Sequence, residues 1–167
     1  MGTSSDGKLS LLDKTPFFDL FDELEKQALT QEKTCFQMYQ VNEEIIRNGD
    51  KDDTLFVLLK GSVVVTKGTT KEVTLAQLKS GDIFGELSLI LRRPRTTTII
   101  AKSEVLVWKM DAKLLQTLGL DIQNKIQFKI VQLMVKRLDE MNKKYIKVVK
   151  EKTAEQSESD STLPKNK

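Results

Sequence analysis

Glu86 and Arg95 stand nine positions apart in the segment Gly81-Asp82-Ile83-Phe84-Gly85-Glu86-Leu87-Ser88-Leu89-Ile90-Leu91-Arg92-Arg93-Pro94-Arg95-Thr96. Their surroundings suit a small polar ligand. Gly85 permits a positive φ or a close backbone approach at the start of a helical turn over 86–90. The N-terminus of such a turn presents N–H groups with no intrahelical acceptor, a place for an anion. Arg95, held by Pro94 and leading into a Thr-rich strand, can aim its planar fork at the same point and hold a phosphate through two hydrogen bonds. A carboxylate there would repel phosphate, so Glu86 is fitted instead to accept from a neighbouring hydroxyl such as a ribose 2′-OH. Together the pieces describe a ribose joined to one compact phosphate. The competing reading is a structural ion pair linking a turn to a strand, which is what an isolated Glu/Arg pair would mean.

Elements able to position these groups follow from hydrophobic period. From residue 34 to 110, short runs rich in Val, Ile, Phe and Thr recur, separated by Asn48-Gly49-Asp50, Gly61, Gly68-Thr69 and Ser80-Gly81-Asp82. That texture belongs to an antiparallel sandwich or barrel. The expected strands are 34–39, 44–47, 54–60, 62–67, 72–78, 97–101 and 105–110. The apolar run Val63-Val64-Val65 leaves two options, a strand covered on both faces or one lightly shielded outside.

Helices are expected on either side. Leu11, Leu12, Phe17, Phe18, Phe21 and Leu24 cluster before the strands, where Asp22 and Glu25 match an acidic capping box, so two short helices are expected over 9–31. After Met110, Asp111 can cap a short helix over 113–118 that Gly119 ends, and Asp121 can cap a second helix running to about 150. On that helix Val131, Met134, Leu138, Met141, Tyr145 and Val148 make one apolar stripe. The stripe can pack on its own domain, pair with a second copy as a coiled coil, or meet another domain. Two heptads leave those options open. Residues 1–8 and 153–167 are polar and read as disordered ends, leaving 9–150 as one domain.

Composition removes several classes of function. The 167 residues contain no His, which excludes His-dependent acid–base catalysis, Ser and Cys triads and most zinc sites, so neither an enzyme nor a metal protein is expected. Asp50-Lys51-Asp52-Asp53 begins like a calcium loop, but Leu55 stands where Gly is needed and Gly61 where Glu is needed, so it reads as a surface turn. Cys35 is the single cysteine, so no intrachain disulfide forms and a small core residue in a cytoplasmic protein is expected. No run approaches a membrane span. Residues 124–152 hold nine Lys or Arg against Asp139, Glu140 and Glu151, yet without interleaved aromatic residues this reads as a solvated or partner-facing helix.

The segment from Phe84 to Thr98 closely resembles the phosphate-binding cassette of cyclic-nucleotide-binding domains, Phe-Gly-Glu-Leu-x-Leu followed by Pro-Arg-x-x-Thr. The resemblance extends to Phe17-Phe18, to Arg47-Asn48-Gly49-Asp50 and to Leu59-Lys60-Gly61-Ser62-Val63. It implies a mainly β fold, an antiparallel β jelly roll with short N-terminal helices and a long C-terminal helix that closes over a bound base. It implies cAMP or cGMP as ligand, with Glu86 on the ribose 2′-OH and Arg95 on the exocyclic phosphate oxygens. Main-chain N–H groups at Gly85, Leu87, Ser88 and Thr96 would complete the cradle. A hydroxyl at Thr96 can meet the 2-amino group of a syn guanine but also occurs in cAMP-preferring relatives, so it does not choose between the two. Base contacts would come from Leu75 or Ala76 and from the last helix at Arg137 onward. The implied function is a regulatory sensor passing ligand binding through that helix to a partner or linked effector. The alternative is a ligand-independent interaction or dimerisation module on the same fold. Catabolite-activator relatives add a helix-turn-helix, and only a polar tail follows here, so direct nucleic-acid binding is not expected.

Overall fold

The computed structural model describes residues 5–31, 35–68 and 73–161, with side chains over 7–31, 35–68 and 73–153. The chain divides into two compact units, Met1–Gln127 and Phe128–Lys167.

The first unit is built on eight strands: β1 Phe36–Tyr39, β2 Glu44–Ile46, β3 Leu55–Lys60, β4 Ser62–Lys67, β5 Val73–Lys79, β6 Ile83–Phe84, β7 Thr98–Ala101 and β8 Val105–Met110. They form two four-stranded antiparallel sheets, ordered β1-β8-β3-β6 and β2-β7-β4-β5. This is the expected jelly-roll architecture. Strands β4 and β8 match the expected bounds end to end, and the others lie within a residue or two. Thr34 and Glu72, expected to open strands, lie outside the described residues. The two-residue β6 was not expected, because Ile83 and Phe84 are too short a run to register as a period.

The inner faces meet in a cluster of Ile46, Phe56, Leu58, Val63, Phe84 and Ile99, among others. In β4 the consecutive residues Val63 and Val64 are both buried, which selects the reading of a strand covered on both faces at that point. Strands β3 and β4 join through Gly61 alone, at φ +92. A Cβ there would sit 2.3 Å from the Glu104 carbonyl oxygen, so no other residue fits this bend without moving backbone.

Helical pieces precede the strands: α1 Ser5–Asp13, a 3-10 turn over Pro16–Phe18, and α2 Glu23–Thr30. Three pieces replace the expected two, because Pro16 sets its own φ and starts a separate turn. Asp22 caps α2 as expected: its Oδ1 accepts from the Glu25 N–H at 2.9 Å, and the Glu25 carboxylate accepts from the Asp22 N–H at 2.8 Å. Phe18 stacks edge-on against Trp108 at 5.3 Å, and Trp108 Nε1 donates to the Leu29 carbonyl at 3.0 Å. Those contacts fasten the helices to β8.

After β8 come α3's later counterparts, α4 Ala112–Thr117 and α5 Leu120–Ser161, α3 being the short helix Glu86–Leu91 inside the barrel sequence. Asp111 caps α4, accepting from the Leu114 N–H at 2.7 Å. Asp121 does not cap α5; the helix starts one residue earlier, and Asp121 lies in its first turn, where a carboxylate still favours the dipole. Two boundary expectations change. Helix α1 already runs through Ser5 to Lys8, within the stretch expected to be disordered, and α5 continues past 153 to Ser161. No Gly or Pro interrupts residues 150–161, and Ala, Glu and Gln sustain a helix that polar composition alone does not stop. Residues 1–4 and 162–167 lie outside the described residues.

Phe18 is fully buried in the aromatic cluster that fastens the N-terminal helices. Phe18→Ala is expected to lower unfolding free energy by about 3 to 5 kcal/mol, read as a lower urea midpoint by circular dichroism.

Candidate functional site

The site is built where α3 begins. Gly85 is its N-cap at φ +79, and no side chain caps the helix there. Both the φ and the crowding require glycine. A Cβ at position 85 would come within 2.6 Å of the Thr54 carbonyl oxygen, 2.8 Å of Arg95 Nη1 and 3.2 Å of Phe56 Cδ2. Glu86 follows directly, buried to 3% exposure, and Ser88 is buried one residue after the half-buried Leu87.

Arg95 reaches the same point from the other side. It is 4% exposed, and its guanidinium lies 5.8 Å over the ring of Phe56, which stacks on Phe84 at 5.1 Å. Nη1 donates to the Gly85 carbonyl at 2.8 Å, and Nη2 donates to the Thr54 carbonyl at 2.7 Å and to the Asp52 carboxylate. Nε–H is buried and has no acceptor among the described residues. A buried donor left unmade costs about 1 to 3 kcal/mol, a cost that an oxygen reaching this atom would remove. The Arg95 main chain is fixed as well: its N–H donates to the Asp50 carbonyl at 2.9 Å, and its carbonyl accepts from Gly49 N–H at 2.8 Å. One residue thereby ties the 47–54 loop, α3 and the approach to β7.

The structure therefore brings Gly85, Glu86, Leu87, Ser88 and Arg95 together at one end of α3, with the half-buried Thr96 next in sequence. It does not treat the two base candidates alike. On β5, the half-buried Ala76 shares the face of Leu78, which packs on the core cluster, whereas Leu75 sits at a bulge between the pairs Val65–Ala76 and Thr66–Thr74 and is 52% exposed. Arg137 lies on α5 in the second unit.

Asp52 was missed in the sequence, where its loop read as a surface turn. Its side chain is 44% exposed and borders an open cleft of about 740 Å³ that Ser88, Arg92 and Pro94 also line. Burial alone pushes its carboxyl up, but hydrogen bonds from Thr54 and Arg95, with the guanidinium charge, outweigh that and hold it below the usual aspartate range. Nothing local marks Asp52 out from Asp50 or Asp53; only the long-range approach of Arg95 does. Phe56, the floor beneath the guanidinium, was likewise read only as a strand residue.

Comparison with known proteins follows the same residues. The family described as "Cyclic nucleotide-binding domain" matches residues 36–120. Over 93 residues the chain is 32% identical to a cGMP-dependent protein kinase of Plasmodium berghei, a match that covers 56% of this chain and 10% of that kinase. The chain thus spans a small part of the length of such relatives. Among solved structures, the regulatory domain of Toxoplasma gondii PKA crystallised with cAMP superposes with a TM-score of 0.63 at 25% identity, covering 77% of this chain and 50% of that one. A cyclic nucleotide-binding domain from Methylobacillus flagellatus superposes at 0.70 with 24% identity, covering 85% and 82%. That second likeness is one of fold.

Two outcomes are expected from this geometry. Gly85→Ala must strain a left-handed residue and press on the Thr54 carbonyl, so unfolding free energy should fall by about 2 kcal/mol or more, measured by urea denaturation. For Asp52 the folded pKa lies below the unfolded value of about 3.9, so its contribution is complete above that pH and is lost as pH falls through the folded value. Asp52→Asn should flatten the stability-versus-pH curve below about pH 4.

Proposed function

Because the chain belongs to the cyclic nucleotide-binding domain family, we propose that it is a regulatory sensor in which Arg95 holds the exocyclic phosphate oxygens of cAMP or cGMP and Glu86 the ribose 2′-OH. The observation that carries this reading is the buried, permanently charged Arg95 whose Nε–H has no acceptor, set against an α3 terminus that no side chain caps. A phosphate oxygen supplies the missing acceptor. Main-chain N–H groups at Gly85, Leu87, Ser88 and Thr96 add neutral donors to the same anion.

Binding then involves an exchange. Asp52 holds part of the Arg95 fork, and being half open to water it can withdraw to solvent when a phosphate arrives. Loop 47–54 and α3 both contact Arg95, so both respond to the exchange, and the ligand biases an equilibrium between two arrangements. Output through α5 to an effector protein or a linked domain completes the reading, with the cytoplasm as its place. Among the described residues no helix is long and apolar enough to cross a membrane.

A second reading, a ligand-independent interaction module on the same fold, is favoured by one observation: Asp52, Thr54 and Gly85 already satisfy much of the Arg95 fork. Calorimetry separates the two. The wild type is expected to bind cAMP or cGMP, and Arg95→Ala to lose on the order of 2 to 4 kcal/mol as a charge-assisted, two-pronged contact disappears. Arg95→Lys, which keeps the charge without the fork, should fall between them. Absence of wild-type binding to both nucleotides would establish the second reading, and binding unchanged in Arg95→Ala would remove Arg95 from the site.

A further inference from the structure

The second unit carries a pattern that nucleotide binding does not use. Along α5, Phe128, Val131, Val135, Leu138, Tyr145 and Val149 recur at steps of three and four, with Asn142 in the one gap, and each of the six is 43 to 70% exposed. Met134, Met141, Ile146 and Val148 flank that row, so the apolar arc covers about 160° of the helix, at about 100° per residue. Residues 128–152 also hold eight Lys or Arg against three acids, and the charges are sorted around the helix. Lys136, Lys143 and Lys150 follow one border of the arc, and Arg137 and Lys144 follow the other. Glu140 and Glu151 lie further round, on the polar side.

We propose that this face of α5 docks on an anionic lipid surface, with the helix lying in the headgroup plane and not crossing the bilayer. Width is the first argument. A two-stranded helical seam would cover only the narrow row from Phe128 to Val149 and leave Met134, Met141, Ile146 and Val148 at its wet margins. The positions flanking such a seam would set Gln132, Asp139 and Ile146 against Met134, Met141 and Val148, with no opposite charges to choose a partner. A planar surface takes the whole arc at once, over a length of about 32 Å.

Charge is the second argument. With the apolar arc turned into lipid, both borders sit at the level of the phosphates, and both are basic. The Lys and Arg stems then lie along the apolar boundary while their charged ends meet phosphate. Glu140 and Glu151 stay on the side turned to water. Asp139 is the one acid at a border, and Lys136 and Lys143 stand three and four residues from it, the spacing that pairs charges on a helix. Asn142 is the one polar residue inside the arc, and at a depth of about 5 to 10 Å its amide still meets ester carbonyls and water.

Co-sedimentation of the full chain with vesicles tests this. Binding is expected on vesicles of mixed phosphatidylcholine and phosphatidylserine, weaker on phosphatidylcholine alone, and falling as salt is raised. Lys136→Gln, Lys143→Gln and Lys150→Gln together should weaken partition on the order of a hundredfold, since each lysine at an anionic surface is worth about fivefold. Leu138→Asp should weaken it at least tenfold with the basic borders intact. Tyr145→Trp should add emission that moves to shorter wavelength on the mixed vesicles, whereas Lys147→Trp, on the polar side, should add emission that does not. All of these side chains are exposed, so each variant should keep the wild-type circular dichroism. Equal shifts at positions 145 and 147, or binding unaltered by the lysine and leucine variants, overturn the proposal. So does a chain that stays in the supernatant with the mixed vesicles, and if its mass by sedimentation equilibrium is then that of two chains, the face belongs to a second copy instead.

Discussion

A guanidinium keeps its proton at any pH a cell reaches, so burying Arg95 obliges the protein to surround it with acceptors. That obligation organises the site. The Gly85 carbonyl comes from the turn into α3, whereas the Asp52 carboxylate, the Thr54 carbonyl and the face of Phe56 come from the end of the 47–54 loop and the start of β3. None of them is near Arg95 in sequence. The loop before β3, the turn into α3 and the approach to β7 are held in one arrangement because they share one charge. Glycine at 85 is a condition of this arrangement, since any side chain there would occupy the place the guanidinium takes.

In the proposed function, the same obligation is what would make the site responsive. A neutral core residue would be indifferent to an arriving anion, whereas a buried cation with a half-exposed carboxylate partner can exchange that partner for another. The barrel around it has no comparable freedom. Its interior is apolar and closed, its two sheets are joined by tight bends such as Gly61, and the aromatic cluster of Phe17, Phe18, Phe21 and Trp108 fixes the N-terminal helices. Rigidity in the scaffold and exchangeability at one charge are complementary requirements of a sensor.

Much of this was legible in the residues. Strands β4 and β8 could be bounded from the sequence because branched residues fill them and glycine or acidic turns close them, and the caps at Asp22 and Asp111 act within three residues of themselves. Glu86 and Arg95 could be singled out as candidates because their chemistry is specific and their spacing recurs in a family. What stayed hidden depends on distance in sequence. Asp52 looks like Asp50 and Asp53 until the fold carries Arg95 to it. The bulge at Leu75 follows from the pairing of β4 with β5, which no local residue announces, and the extent of α5 turned on the absence of a stop signal, which polar composition does not supply.

Trp108 is the only tryptophan in the chain, and it is wholly buried with its indole N–H on the Leu29 carbonyl. All indole emission from this protein therefore arises from a single, dry environment at the seam between α2 and β8. The molecule carries its own optical reporter at that seam. Loosening of the N-terminal helices would admit water to the ring and move its emission to longer wavelength, whereas events confined to the far part of α5 would leave the colour unchanged.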